Sequence, residues 1–171
     1  MNLGSSRRSA IRTRQIGCHL ALSELGLGTS AFGNLFHGAT RADTEAATEI
    51  AWDGGIRYFD TAPHDGLGLA ERRLGAALKQ RPRDAQYVIS TKVGRRLVPT
   101  PENAGHLDDD GFVVPAAYRR EFDFSRDGLH RSVDGRLGRA RPAPVRHRQQ
   151  PDPDAHWDQA TTARTRAGRG A

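Results

Sequence analysis

Two residues of opposite charge close two short apolar runs: Asp60 ends YFD and Lys92 ends VISTK. In parallel α/β barrels the chemistry sits at the C-terminal ends of strands, so a carboxylate and an ammonium there stand within salt-bridge reach. Such a pair serves either as reactive machinery or as an ion pair that closes the structure. Between them lies FDTAPHDGLGLAE, residues 59–71: the end of a strand, a proline-containing turn, and a helix beginning near Ala70. Segments of this build place a proton donor close to position 65, and here position 65 is an aspartate. With an ordinary pKa of about 3.9, Asp65 has no proton to give at neutral pH, and a nearby lysine is expected to depress that value further. His64, its neighbour, is a side chain whose ordinary range spans neutral pH.

The elements that would position these groups follow from periodicity. Gln15 to Leu25 alternates weakly, as a small hairpin does. ELGLGTSAFGN reads as a short strand ending near Thr29 and a glycine-rich loop, whose spacing does not match the dinucleotide G-x-G-x-x-G fingerprint. In TRADTEAATEIAWDGG, Thr40 and Asp43 form a capping box, Ala46, Ala47, Ile50 and Ala51 share a face, and Gly54-Gly55 stops the helix. IRYFD is the next strand, LAERRLGAALKQ a helix with Leu74, Ala77 and Leu78 inward, and YVISTK a strand apolar on both faces. Residues 93–123 read as a long loop, and FSRDGLHRSVDGRLGR restarts a helix capped by Ser125. Strand and helix alternating at this spacing mean parallel βαβ units.

Composition narrows the class. The 171 residues suffice for one core, and no apolar run approaches the roughly 18 residues of a membrane span. The arginine-bearing start, MNLGSSRRSAIRTRQIG, lacks the apolar stretch of a secretory signal. Cys18 is the only cysteine, which suits inert packing and a reducing cytoplasm. The net charge of +6 invites a nucleic-acid reading, but its distribution argues against one. Residues 1–127 hold 17 Lys+Arg against 16 Asp+Glu, whereas residues 128–171 hold 9 against 4. That last quarter carries no interleaved aromatics apart from Trp157. After Arg139 periodicity stops, and residues 140–171 read as an irregular, disordered Arg/Pro-rich tail.

The motifs FDTAPHDGLGLAERRLGAAL, VISTKVGR and FDFSRDG, in this order and separation, resemble the aldo-keto reductases. The likeness is strongest to the bacterial sugar-dehydrogenase branch that contains L-fucose and D-threo-aldose dehydrogenases. It runs from about Gln15 to Val133, with a short recovery at DPDAHWDQA. It implies an incomplete (β/α)8 barrel, about the first four βα units, over residues 1–139. It also implies NAD(P)-dependent reduction of aldehydes and ketones or oxidation of sugar alcohol groups, with NADP or NAD as cofactor. The family's catalytic set is Asp, Tyr, Lys and His. Asp60 matches the aspartate and Lys92 the lysine, while the tyrosine position falls on Asp65 and the histidine position on Pro151. Thr29 and Asp60 fall where the family contacts its cofactor, and His64 falls in the substrate pocket. With two of the four groups replaced, the chain is expected to be impaired.

The tail has a specific expectation attached. Back-translated and regrouped by one base, ARPAPVRHR at residues 140–148 permits Leu-Gly-Leu-x-Arg-Phe-Asp-Ile, which is what the family carries before its fourth strand. A shifted reading frame would account for the prolines and arginines and for the preserved length. On this reading Pro142, Pro144 and Pro151 spoil the fourth strand. Two other readings stay open: a non-catalytic half-barrel that assembles with a partner, open sheet edges also allowing self-association, and an Arg-rich nucleic-acid binder. His147, Asp152, Asp154 and His156 are metal-ligand types in a setting that does not preorganise them, and DDDG at 108–111 reads as a solvated loop.

Overall fold

In the computed structural model the described residues are 11–16, 20–82, 84–139 and 147–149. Cys18, Pro151, Asp152, Asp154, His156 and the rest of 140–171 apart from 147–149 lie outside them. An antiparallel hairpin comes first, β1 (Thr13–Ile16) with β2 (Leu20–Ser23). Then β3 (Leu27–Gly28), α1 (Arg41–Asp53), β4 (Tyr58–Asp60), α2 (Leu69–Leu78) and β5 (Val88–Lys92) alternate strand and helix. These strands pair parallel in the order β3-β4-β5. This is the incomplete (β/α)8 architecture: consecutive parallel strands in one sheet, with helices as their crossovers.

The core lies between that sheet and the helices. Phe59 and Ile89 from the strands meet Phe32, Ala70, Leu74 and Leu78, with Trp52 and Tyr87 packed alongside. Leu74, Ala77 and Leu78 are buried as expected. The capping box of α1 is present, with Asp43 N–H donating to the Thr40 hydroxyl and Thr40 N–H donating to the Asp43 carboxylate. The buried face of α1 differs from expectation. Thr44, Thr48 and Ala51 point inward, while Ala46 and Ile50 are exposed, Ile50 at 73%. The threonines tolerate burial because their hydroxyls donate back to the Arg41 and Thr44 carbonyls at 2.8 and 2.7 Å. Hydrophobicity alone thus placed Ala47 and Ala51 on the inward side and missed that threonines, not Ala46 and Ile50, complete it.

Residues 93–123 are not a featureless loop. Arg95–Pro99 (β6) and Tyr118–Phe122 (β7) form a second antiparallel hairpin, from Arg95 opposite Phe122 to Pro99 opposite Tyr118. Its arginines mask the strand signal: Arg95 lies over the Phe122 ring, 4.6 Å from its centre, instead of projecting to solvent. In the same stretch Asp108 is not solvated. Arg120 grips its carboxylate with two nitrogens, at 2.5 and 2.8 Å, and the Asp108 side chain is 4% exposed. Helix α3 (Arg126–Arg139) starts at Ser125, whose hydroxyl accepts from Gly128 N–H at 3.0 Å.

A fourth parallel strand, β8 (His147–Gln149), pairs with β5 in the register Ser90–His147 to Lys92–Gln149. The expectation of a spoiled strand and a wholly irregular tail is therefore corrected for these three residues. The pairing is short enough to fall between Pro144 and Pro151, so no proline occupies the ladder.

Candidate active site

Strand β4 delivers Asp60 and strand β5 delivers Lys92 to the same end of the sheet. Their pairing is parallel, with Asp60 opposite Ser90 two residues before Lys92. Lys92 Nζ donates to Asp60 Oδ2 at 2.5 Å, and the Ser90 hydroxyl donates to Asp60 Oδ1. Tyr58 Oη and Ser90 Oγ lie 3.0 Å apart, extending that network along the strands. The Asp60 backbone is held as well: its carbonyl accepts both the N–H and the hydroxyl of Thr29, each at 2.9 Å. Thr29 is 1% exposed, so its hydroxyl ties the end of β3 to the end of β4. The ion pair itself retains access, with 28% of the Lys92 side chain and 35% of that of Asp60 exposed.

Asp65 is placed by an unusual turn. Gly66, Leu67 and Gly68 all have positive φ, at 58°, 52° and 80°, and Gly68 leads directly into α2. A Cβ on Gly66 would stand 2.2 Å from the Gly33 carbonyl oxygen, and one on Gly33 would stand 2.6 Å from the Asp65 carbonyl carbon. Only two glycines let the backbones of the two loops touch this closely. The contact presses the Asp65 segment onto the 3-10 turn Ser30–Gly33, and the Ser30 hydroxyl reaches Asp65 Oδ2 at 3.4 Å.

Burial then corrects the sequence expectation for Asp65. The residue is 7% exposed, and desolvation pushes its carboxyl up to about 6, outweighing the opposing pull of Lys92 and Ser30. The lysine lowers the value as expected; it does not decide it. His64 moves the other way, down to about 4, because burial and then Arg120 and Arg95 disfavour its charged form. It is therefore neutral at pH 7, and its Nδ1 at 3.7 Å from Asp110 Oδ2 is not an ion pair in that state. The ring instead stands edge-on to Phe112, 5.2 Å between centres. The expectation that His64 titrates in the neutral range fails for that reason.

Ser30, Ala62, Pro63, His64, Asp65, Lys92 and Arg95 line one cavity of about 250 Å³. The structure thus brings Lys92, Asp65 and His64 together, with Asp60 behind Lys92. Pro151 falls outside the described residues, two positions beyond the end of β8. Sequence reasoning missed Ser30 and Arg95. Arg95 had a signal, standing three residues after Lys92 in VISTKVGR. Ser30 had none, because only the glycine-to-glycine contact brings its loop to the site. Among the described residues no group of acidic, histidine or cysteine side chains has the geometry of a metal site, and no helix is long and apolar enough to cross a membrane.

A parallel βα sheet with a lysine–carboxylate pair at its C-terminal rim is the build of the opening units of a (β/α)8 barrel. The model of the Aldo/keto reductase family matches residues 24–144, and the chain belongs to that family. It is 50% identical over 116 residues to D-threo-aldose 1-dehydrogenase of a Pseudomonas species, covering 67% of this chain and 35% of that protein. It is 44% identical over 124 residues to pyridoxal 4-dehydrogenase of Microbacterium luteolum, with the same two coverages, 67% and 35%. An aldo/keto reductase from Klebsiella pneumoniae in complex with NADP and acetate matches with a TM-score of 0.51 at 25% identity, over 76% of this chain and 35% of that one. The chain spans about a third of the length of the curated relatives it matches.

Proposed function

We propose that residues 1–139 form the first part of the active site of an NAD(P)-dependent oxidoreductase, interconverting a small sugar-like carbonyl and its alcohol. We propose further that turnover by this chain is impaired. The observation that carries the reading is Lys92, held by Asp60 at 2.5 Å, in the wall of a cavity of small-molecule size. NADP or NAD, when bound, exchanges hydride with the carbonyl carbon. Asp60 has side-chain surface to meet the cofactor, whereas Thr29, nearly buried, contributes by holding the Asp60 backbone. Lys92 places a positive charge where the carbonyl oxygen gains electron density, and His64, neutral, walls the substrate pocket.

Asp65 occupies the position of the family's tyrosine. A carboxyl titrating at about 6 holds a proton in only a minority of molecules at pH 7, and it is several atoms shorter than a phenol. Pro151 occupies the position of the histidine, and its side chain neither donates nor accepts a hydrogen bond. These two replacements are the basis of the impairment. The same reading makes residues 140–171 a segment where a shifted frame replaces family sequence, and it places the chain in the cytoplasm. The purified chain should show no NAD(P)-dependent oxidation of fucose, galactose or similar aldoses above background, and Asp65→Tyr alone should not restore it. Measurable hydride transfer by the unmodified chain would overturn the reading of Asp65 as a lost donor.

A second reading has its own observation. Among the described residues β3 and β8 each pair on one side only, and open edges of this kind recruit other chains. On that reading the chain is a non-catalytic partial barrel that self-associates. Nucleic acid is a partner in neither.

A further inference from the structure

Arg95 enters the wall of the cavity from the start of β6, beside Lys92 and Asp65. Every other cation near it has a carboxylate within ion-pair distance: Lys92 has Asp60, and Arg120 has Asp108 and Asp110. Among the described residues the Arg95 side chain has neither an ion pair nor a hydrogen bond, and its Nε is buried without a partner. Its guanidinium lies over the face of Phe122, 4.6 Å from the ring centre. A guanidinium stacked on a ring is held in place while its edge nitrogens stay available for a planar anion. Leaving it without an ion pair in a partly desolvated wall is unfavourable; the nearby Arg120 makes it more so, and the more distant carboxylates of Asp110 and Asp65 offset that only in part. A ligand anion would relieve both costs.

We propose that Arg95 is an anion subsite of this cavity, so that the compound it takes is a small hydroxycarbonyl carrying a carboxylate or phosphate, with that group on Arg95 and its carbonyl toward Lys92. The subsite deepens the oxidoreductase reading and rests on it for the placement of the carbonyl, but binding is measurable without turnover. The cavity of about 250 Å³ admits one small molecule of this kind.

The test is equilibrium binding to the full chain by ligand-observed NMR, with D-galacturonate, D-galactose and D-galactose 6-phosphate as probes. Galacturonate or the phosphate should bind about tenfold or more tightly than galactose, the order of one charge-assisted hydrogen bond. The stronger of the two identifies the anion. The preference should shrink as salt is raised, and it should vanish in Arg95→Gln while surviving in Arg41→Gln, a change at an exposed helix position. The salt series needs no variant, so a misfolded Arg95→Gln leaves the test intact. Equal affinity for the charged and neutral sugars, or a preference indifferent to salt, overturns the subsite. Selective binding without hydride transfer leaves the subsite standing and counts only against turnover; hydride transfer without selectivity does the reverse.

Discussion

Replacing Asp65 by asparagine removes the charge while nearly keeping the shape, and Asn Oδ1 can still accept from the Ser30 hydroxyl now 3.4 Å from the carboxylate. The buried carboxyl titrates at about 6 in the fold against 3.8 as its ordinary value. At 1.36 kcal/mol per pH unit, its ionised form costs the folded state about 3 kcal/mol relative to the protonated form. The sign follows from the direction. A pKa raised by folding contributes stability that is fully present below 3.8 and lost as pH rises through about 6. Asparagine resembles the protonated form, so Asp65→Asn should match the unmodified chain near pH 4. It should gain steadily between pH 4 and 6 and then hold a constant advantage. For a chain of this size about 3 kcal/mol corresponds to roughly 6–12 °C in Tm. Urea melts or thermal unfolding at pH 4, 5, 6 and 8 would measure the gap. A gap that does not change with pH, or a variant less stable at pH 8, would show that Asp65 is not the buried, uncompensated carboxylate described above.

Gly66→Ala should destabilise the chain by about 2–4 kcal/mol, combining a left-handed backbone with a clash against main chain that cannot swing aside; an unchanged Tm would refute the loop-on-loop contact. For the open edges of β3 and β8, light scattering on the full chain should report oligomers whose size grows with concentration, and a monodisperse monomer would end the self-association reading.

How much of this was legible beforehand varies by element. The βαβ alternation, the inward face of α2, the Thr40–Asp43 box and the meeting of Asp60 with Lys92 all follow from local periodicity, capping chemistry and strand ends. Such signals lie within a few residues of one another, and parallel pairing of consecutive strands does the rest. The burial of Thr44 and Thr48 was not legible, because their hydroxyls are satisfied by the helix itself and hydrophobicity scales do not register that. Nor was the β6–β7 hairpin, whose arginines read as solvent-facing until Phe122 and Asp108 supply their partners. The protonation of Asp65 lay furthest from the sequence. Its type and its lysine neighbour both argue for a low pKa, and desolvation reverses that conclusion. Desolvation is set by everything packed around the group: the Gly33–Gly66 contact, the Ser30 turn and the cavity wall, in which only His64 and Gly66 adjoin Asp65 in the chain. Residue types and strand order determined which groups meet at the rim, and only tertiary burial decided where Asp65 and His64 titrate there.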